Sequence, residues 1–93
     1  MSERIEVSIS GRVQGVMFRD FACRKGRGLK LTGEAQNLRD GTVRVVAEGS
    51  HDALEKYIGK LHKGSLLSHV ENVAVSWHPA TNGYRSFDIN YAR

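Results

Sequence analysis

The sequence predicts an α+β sandwich, two helices packed on one face of a mostly antiparallel five-stranded sheet. Three observations carry that expectation. Apolar and polar residues alternate at strand period in several short stretches. Two other stretches, between strand patterns, instead carry apolar stripes at helical spacing. An Asp-Gly pair joins the second and third strand patterns, the signal of a hairpin.

Each element follows from its local pattern. Ile5, Val7 and Ile9 alternate with Glu6, Ser8 and Ser10, the period of a half-buried strand over 5–10. Phe18, Phe21 and Ala22 share one helical face, which predicts a helix over 18–27. Gly26 and Gly28 each cost about 1 kcal/mol relative to alanine in a helix, so the helix is expected to end at or before Gly28. A second strand over 31–37 leads into the turn Arg39-Asp40-Gly41. The third strand, 42–48, puts Val43, Val45 and Ala47 on one face and Arg44 and Glu48 on the other.

Ser50 is placed to cap a second helix, with Asp52 and Glu55 near its positive end. Leu54, Tyr57, Ile58 and Leu61 form its core-facing stripe, Lys60, His62 and Lys63 suit its negative end, and Gly64 its stop. Val73, Val75 and Trp77 alternate in a fourth strand, and Phe87, Ile89 and Tyr91 in a short last one. The order β-α-β-β-α-β plus a terminal strand is the split-βαβ, ferredoxin-like arrangement. No repeat or linker divides the chain, so one domain spanning 1–93 is expected.

Composition narrows the function classes. The 93 residues carry a net charge of +4, which suits an anionic partner or simply a basic surface. Cys23 is the sole cysteine, so no internal disulfide can form, and its helical neighbours read as those of a half-buried thiol. Neither a signal-peptide pattern nor a run of membrane-spanning length is present, and a cytoplasmic address is expected. The four histidines show no metal-ligand spacing. The glycine turn at 11–15 matches neither a Gly-Lys-Ser/Thr phosphate loop nor a dinucleotide fingerprint. RNA binding on this topology needs stacking aromatics on the first and third strands. Their exposed faces are expected to offer Glu6, Ser8, Ser10, Arg44, Val46 and Glu48, so no nucleic-acid partner is expected.

The informative stretch is Gly11-Arg12-Val13-Gln14-Gly15-Val16-Met17-Phe18-Arg19, which links the first strand to the first helix. A strand, a glycine turn and a helix start present main-chain N–H groups and the positive end of a helix dipole to an anion. Arg19 adds a planar fork able to hold two phosphate oxygens. Taken singly, Arg19 reads equally as a surface arginine and Asn37 as a turn residue before Asp40-Gly41.

That stretch resembles the signature loop of the acylphosphatases, and Gly33-Glu34-Ala35-Gln36-Asn37-Leu38-Arg39-Asp40-Gly41-Thr42-Val43 is similar to their second signature. Asn37 lies 18 positions after Arg19, as in the family pattern. The similarity continues through Gly49, the 54–61 helix, Val70-Glu71-Asn72-Val73 and Phe87-Asp88-Ile89. It implies a metal-free, cofactor-free enzyme, expected to be a monomer, that hydrolyses acyl phosphates to a carboxylate and inorganic phosphate. It further implies that main-chain groups of Val13, Gln14, Gly15, Val16, Met17 and Phe18 wrap the phosphoryl group. Arg19 would then bind its oxygens, and Asn37 would orient the attacking water. A silent binder of small phosphates or carboxylates using the same loop is the alternative.

Two positions depart from the family pattern. Glu34 stands where an aromatic is usual, three residues from Asn37, and is expected to weaken substrate binding, either by repelling a dianionic substrate or by removing a packing surface. An acid there is also similar to the acylphosphatase-like domain of hydrogenase-maturation carbamoyltransferases. Lys30 stands where the family has a glycine in the left-handed conformation, and Gly28 is expected to move the helix end upstream instead.

Overall fold

In the computed structural model, which describes residues 2–92, the alternation around Ile5, Val7 and Ile9 extends into the 11-residue strand β1 (Ser2–Arg12). The expected span of 1–93 includes Met1 and Arg93, which lie outside the described residues. The remaining elements are α1 (Phe18–Gly28), β2 (Thr32–Asn37), β3 (Val43–Ser50), α2 (His51–Lys63), β4 (His69–Pro79) and β5 (Phe87–Asn90). They form one sheet in the order β4-β1-β3-β2-β5. All neighbours pair antiparallel except β2 and β5, which run parallel.

Register turns the alternating pattern into a core. Val7 pairs with Val45 on one side and Val75 on the other, so three strands present apolar side chains to the same face. Against them lie Phe18, Phe21, Ala22 and Cys23 of α1 and Leu54, Tyr57 and Leu61 of α2. Each large apolar side chain buried there stabilises the fold by about 1.5–3 kcal/mol. The Tyr57 hydroxyl donates to the Ala22 carbonyl at 2.8 Å, which ties the two helices to each other. Gly26 has a packing reason as well, because a β-carbon there would come within 2.5 Å of the Phe87 ring. The Ser50 hydroxyl accepts from the Ala53 N–H at 3.3 Å, the expected cap of α2.

The end of α1 corrects one expectation. The helix runs through Gly28, and Lys30 keeps the left-handed conformation with φ 60°. Lys30 N–H donates to the Arg27 carbonyl at 3.0 Å and Leu31 N–H to the Gly26 carbonyl at 2.9 Å. These are the two closing bonds of a Schellman motif, and they offset the roughly 1–2 kcal/mol that a β-carbon costs in that conformation. Gly28 therefore does not move the helix end upstream. Cys23 is buried rather than half-buried, and burial raises its thiol to about 11, so it remains protonated at neutral pH.

A second correction concerns the sheet face opposite the helices. Because β4 and β5 occupy opposite edges, the segment joining them must cross the sheet. Thr81 and Asn82 of that segment bond Glu48 of β3, and Val46 and Glu48 are both buried instead of exposed. The Glu48 carboxylate accepts from Thr81 N–H at 2.8 Å, the Thr81 hydroxyl at 2.9 Å and Asn82 N–H at 2.8 Å, with Arg4 at 3.4 Å. Burial opposes its ionisation, but these donors outweigh it and hold the carboxyl below the usual carboxylate range. A lowered folded-state pKa contributes stability that is full above the unfolded value, about 4.3, and is lost as pH falls through the folded value. Urea titrations of wild type and Glu48→Gln across the acid range test this. The wild type is expected to lose stability on acidification more steeply than the variant, whose carboxamide does not titrate there.

Candidate active site

Sheet topology brings together residues far apart in sequence. β1 and β2 flank β3 and run parallel to one another, so their C-terminal ends lie at the same end of the sheet. Ile9 and Asn37 both pair with Val43 from opposite sides. The loop that leaves β1 and the last residue of β2 are therefore separated by two strand spacings, about 10 Å. Long side chains and a wide loop close such a gap.

The loop is held by its side chains and leaves its main chain free. Val13 and Phe18, each 1 % exposed, anchor its two ends in the core, and Val16 packs against the same cluster. Gly15 takes φ 74° and Met17 φ 59°, left-handed values that turn the chain back toward α1. Glycine meets that demand without strain, whereas methionine does so at roughly 1–2 kcal/mol. Met17 is the N-cap of α1, and its side chain accepts no hydrogen bond from the helix. Among the described residues, the amides of 13–18 donate no turn or loop backbone hydrogen bond. Uncapped amides at the positive end of a helix are the chemistry that holds an oxyanion.

A cavity of about 250 Å³ opens at this point, lined by Val13, Gly15, Met17, Phe18, Arg19, Asp20 and Asn37. Asn37 is 5 % exposed, and its Oδ1 has no hydrogen-bond partner among the described residues. A buried polar atom left in that condition costs about 1–3 kcal/mol, which a bound water or ligand would recover. From the loop, the Gln14 side chain spans the gap, its Nε2 donating to the carbonyls of Leu38 at 2.8 Å and Thr42 at 2.9 Å.

Glu34 lies elsewhere. Strand alternation puts it on the opposite face of β2 from the buried Ala35 and Asn37. Its carboxylate accepts from Asn90 Nδ2 at 3.1 Å and stands 3.8 Å from Arg44. Glu34 does not line the cavity, so its carboxylate makes no direct contact there.

Two residues at the site escaped the sequence pattern. Asp20 is part of the cavity wall, the acid in the first turn of α1, and only its adjacency to Arg19 could have pointed to it. Tyr91 was placed in the last strand, but β5 stops at Asn90 and the Tyr91 ring lies under Arg19, with the guanidinium carbon 5.3 Å from the ring centroid. No local periodicity encodes that contact, because it depends on β5 docking beside β2.

The acylphosphatase family model matches residues 5–89. The chain belongs to the acylphosphatase family. An acylphosphatase of Salinibacter ruber is 44% identical over 87 residues, covering 94% of this chain and 92% of that protein. One from Thermus thermophilus is 49% identical over 74 residues, covering 80% and 84%. The crystal structure of acylphosphatase from Bacillus subtilis superposes with a TM-score of 0.92 at 34% identity, covering 96% of this chain and 99% of that one. This acylphosphatase fold carries the Arg19–Tyr91 contact on an exposed ring. A cation over an exposed aromatic face is worth about 0.5–1 kcal/mol, so Tyr91→Ala is expected to weaken inorganic phosphate binding roughly 2–5-fold. Tyr91→Phe is expected to retain it, with calorimetric titration as the measurement.

Proposed function

We propose that the chain acts as an acylphosphatase, hydrolysing the carboxyl–phosphate bond of an acyl phosphate to a carboxylate and inorganic phosphate. The single observation that carries the reading is the buried, unpaired Oδ1 of Asn37 in the same cavity as the uncapped start of α1. One group suits a water and the other suits a phosphoryl dianion.

In this reading the main-chain N–H groups of Val13, Gln14, Gly15, Val16, Met17 and Phe18 surround the phosphoryl oxygens. Arg19 neutralises their charge with two parallel donors. Asn37 cannot take a proton at neutral pH, but its carboxamide fixes the attacking water through one acceptor and one donor. The water oxygen attacks phosphorus, the bond from phosphorus to the carboxyl oxygen breaks, and the carboxylate leaves. The water's proton passes to a phosphate oxygen of the substrate. A carboxylate is a good leaving group, so neither a strong base nor a metal is needed. The protein supplies position and preorganised charge, and each lost donor of that kind costs about 3–4 kcal/mol in the transition state.

The same reading makes the chain a single domain acting as a cytoplasmic monomer on small molecules without a nucleic-acid partner. Supporting it, the open part of the outer sheet face on β1 and β3 carries Glu6, Ser8, Ser10 and Arg44 and no aromatic. Among the described residues, no helix is long and apolar enough to cross a membrane.

Purified wild type is expected to release phosphate from benzoyl phosphate in the presence of EDTA. Absence of turnover with intact phosphate binding would leave a silent anion binder. Arg19→Ala is expected to lose both phosphate binding and turnover. Asn37→Ala is expected to keep phosphate affinity while kcat falls by about 10²–10³-fold, the cost of a group that acts only in the transition state.

A further inference from the structure

We propose that the Gln14 side chain is a positioning residue that sets Asn37 against the anion seat. The inference rests on the hydrolase reading above and concerns the carboxamide of Gln14, which takes no part in wrapping the phosphoryl group.

Both protons of Gln14 Nε2 are committed, one to the Leu38 carbonyl at 2.8 Å and one to the Thr42 carbonyl at 2.9 Å. Leu38 directly follows Asn37, and Thr42 directly precedes Val43, the residue paired with Asn37 across β2 and β3. The two bonds therefore grip the hairpin on both sides of Asn37. The amide orientation is unambiguous, because the flipped form would set Oε1 against two carbonyl oxygens.

The hairpin closes without this grip. Leu38 N–H donates to the Thr42 carbonyl at 2.9 Å, and Gly41 N–H donates to the Leu38 carbonyl at 3.2 Å. Gln14 occupies the second lone pair of each acceptor. The loop is likewise fixed without it, through the buried Val13 and Phe18. The sheet brings the two halves to the same end, and the carboxamide adds a direct bridge that fixes one against the other. One half carries the amides and Arg19, the other carries Asn37. In a reaction whose rate depends on where a water stands relative to phosphorus, an error of about 1 Å costs on the order of 10²-fold.

The test uses Gln14→Met, which keeps chain length and removes both donors. Turnover of benzoyl phosphate is expected to fall about 10–100-fold in kcat. KM and the inhibition constant of inorganic phosphate are expected to stay within about twofold, because the seat itself is intact. A purely structural role would instead move phosphate affinity and the thermal midpoint together, and that outcome overturns the proposal. So does full kcat in the variant. Hydrogen exchange of side-chain amides in the wild type provides a reading independent of whether the variant folds. The Gln14 Nε2 protons are expected to exchange more slowly than those of Gln36, which makes one exposed bond to the Ala92 carbonyl. Equal exchange would remove the bridge and the proposal with it. A wild type that does not turn over benzoyl phosphate defeats the hydrolase reading and, with it, this role. Normal wild-type turnover with an unaffected Gln14→Met defeats the positioning role alone.

Discussion

The site depends on two apolar anchors. Val13 and Phe18 reach into the core from either end of the loop between β1 and α1, and among the described residues the amides between them donate no turn or loop backbone hydrogen bond. Core packing and the proposed anion recognition are thus two faces of the same five-residue excursion. A loop held by hydrogen bonds among its own amides would have spent the groups that a phosphoryl dianion needs. Here the hydrophobic effect does the holding, which is non-directional and leaves the polar groups unused.

The second half of the site follows from strand order rather than from the loop. With β3 between β1 and β2, the ends of the two outer strands face the same way at a distance that side chains can span. Asn37 occupies the last position of β2 on the core side, so its carboxamide is buried where its neighbours Gln36 and Leu38 are not. Arg19 comes from the first turn of α1, where the helix dipole would reinforce its charge on the proposed anion. Each functional group therefore inherits its position from an element boundary. Sites of this kind need few residues because the scaffold does the orienting.

Much of this was legible in the sequence. The alternation Ile5-Val7-Ile9, the Asp40-Gly41 turn, the Ser50 cap and the Leu54-Tyr57-Leu61 stripe each correspond to an observed element, with boundaries off by a few residues. Of the positions read as a phosphate seat, Val13, Gly15, Met17 and Phe18 line the cavity with Arg19 and Asn37, whereas Gln14 and Val16 do not. What was not legible depends on long-range geometry. Glu48 is bonded by a segment some thirty residues further on, which crosses the sheet because β4 and β5 sit on opposite edges. Tyr91 reaches Arg19 only once β5 has docked parallel to β2. Lys30 keeps a glycine-like conformation because a Schellman pair of main-chain bonds compensates it, a balance that residue type alone does not reveal.

That last case sharpens how strain is to be interpreted here. Among the described residues, three non-glycine residues take positive φ, namely Met17, Lys30 and Asn82. Lys30 finds its compensation in the helix it terminates, and Asn82 sits in the crossing segment where its N–H serves Glu48. Met17 accepts one helical bond, from the Phe21 N–H at 3.1 Å, and among the described residues no more. Its side chain caps nothing and is 72% exposed, and the turn it makes leaves the start of α1 without a side-chain cap. Left-handed backbone alone is thus no marker of function in this chain. The marker is its coincidence with two other uncompensated features, free amides and the unpaired Asn37 oxygen, around a single cavity. Local costs that find no internal compensation, and that converge on one hollow, are relieved only by what enters it.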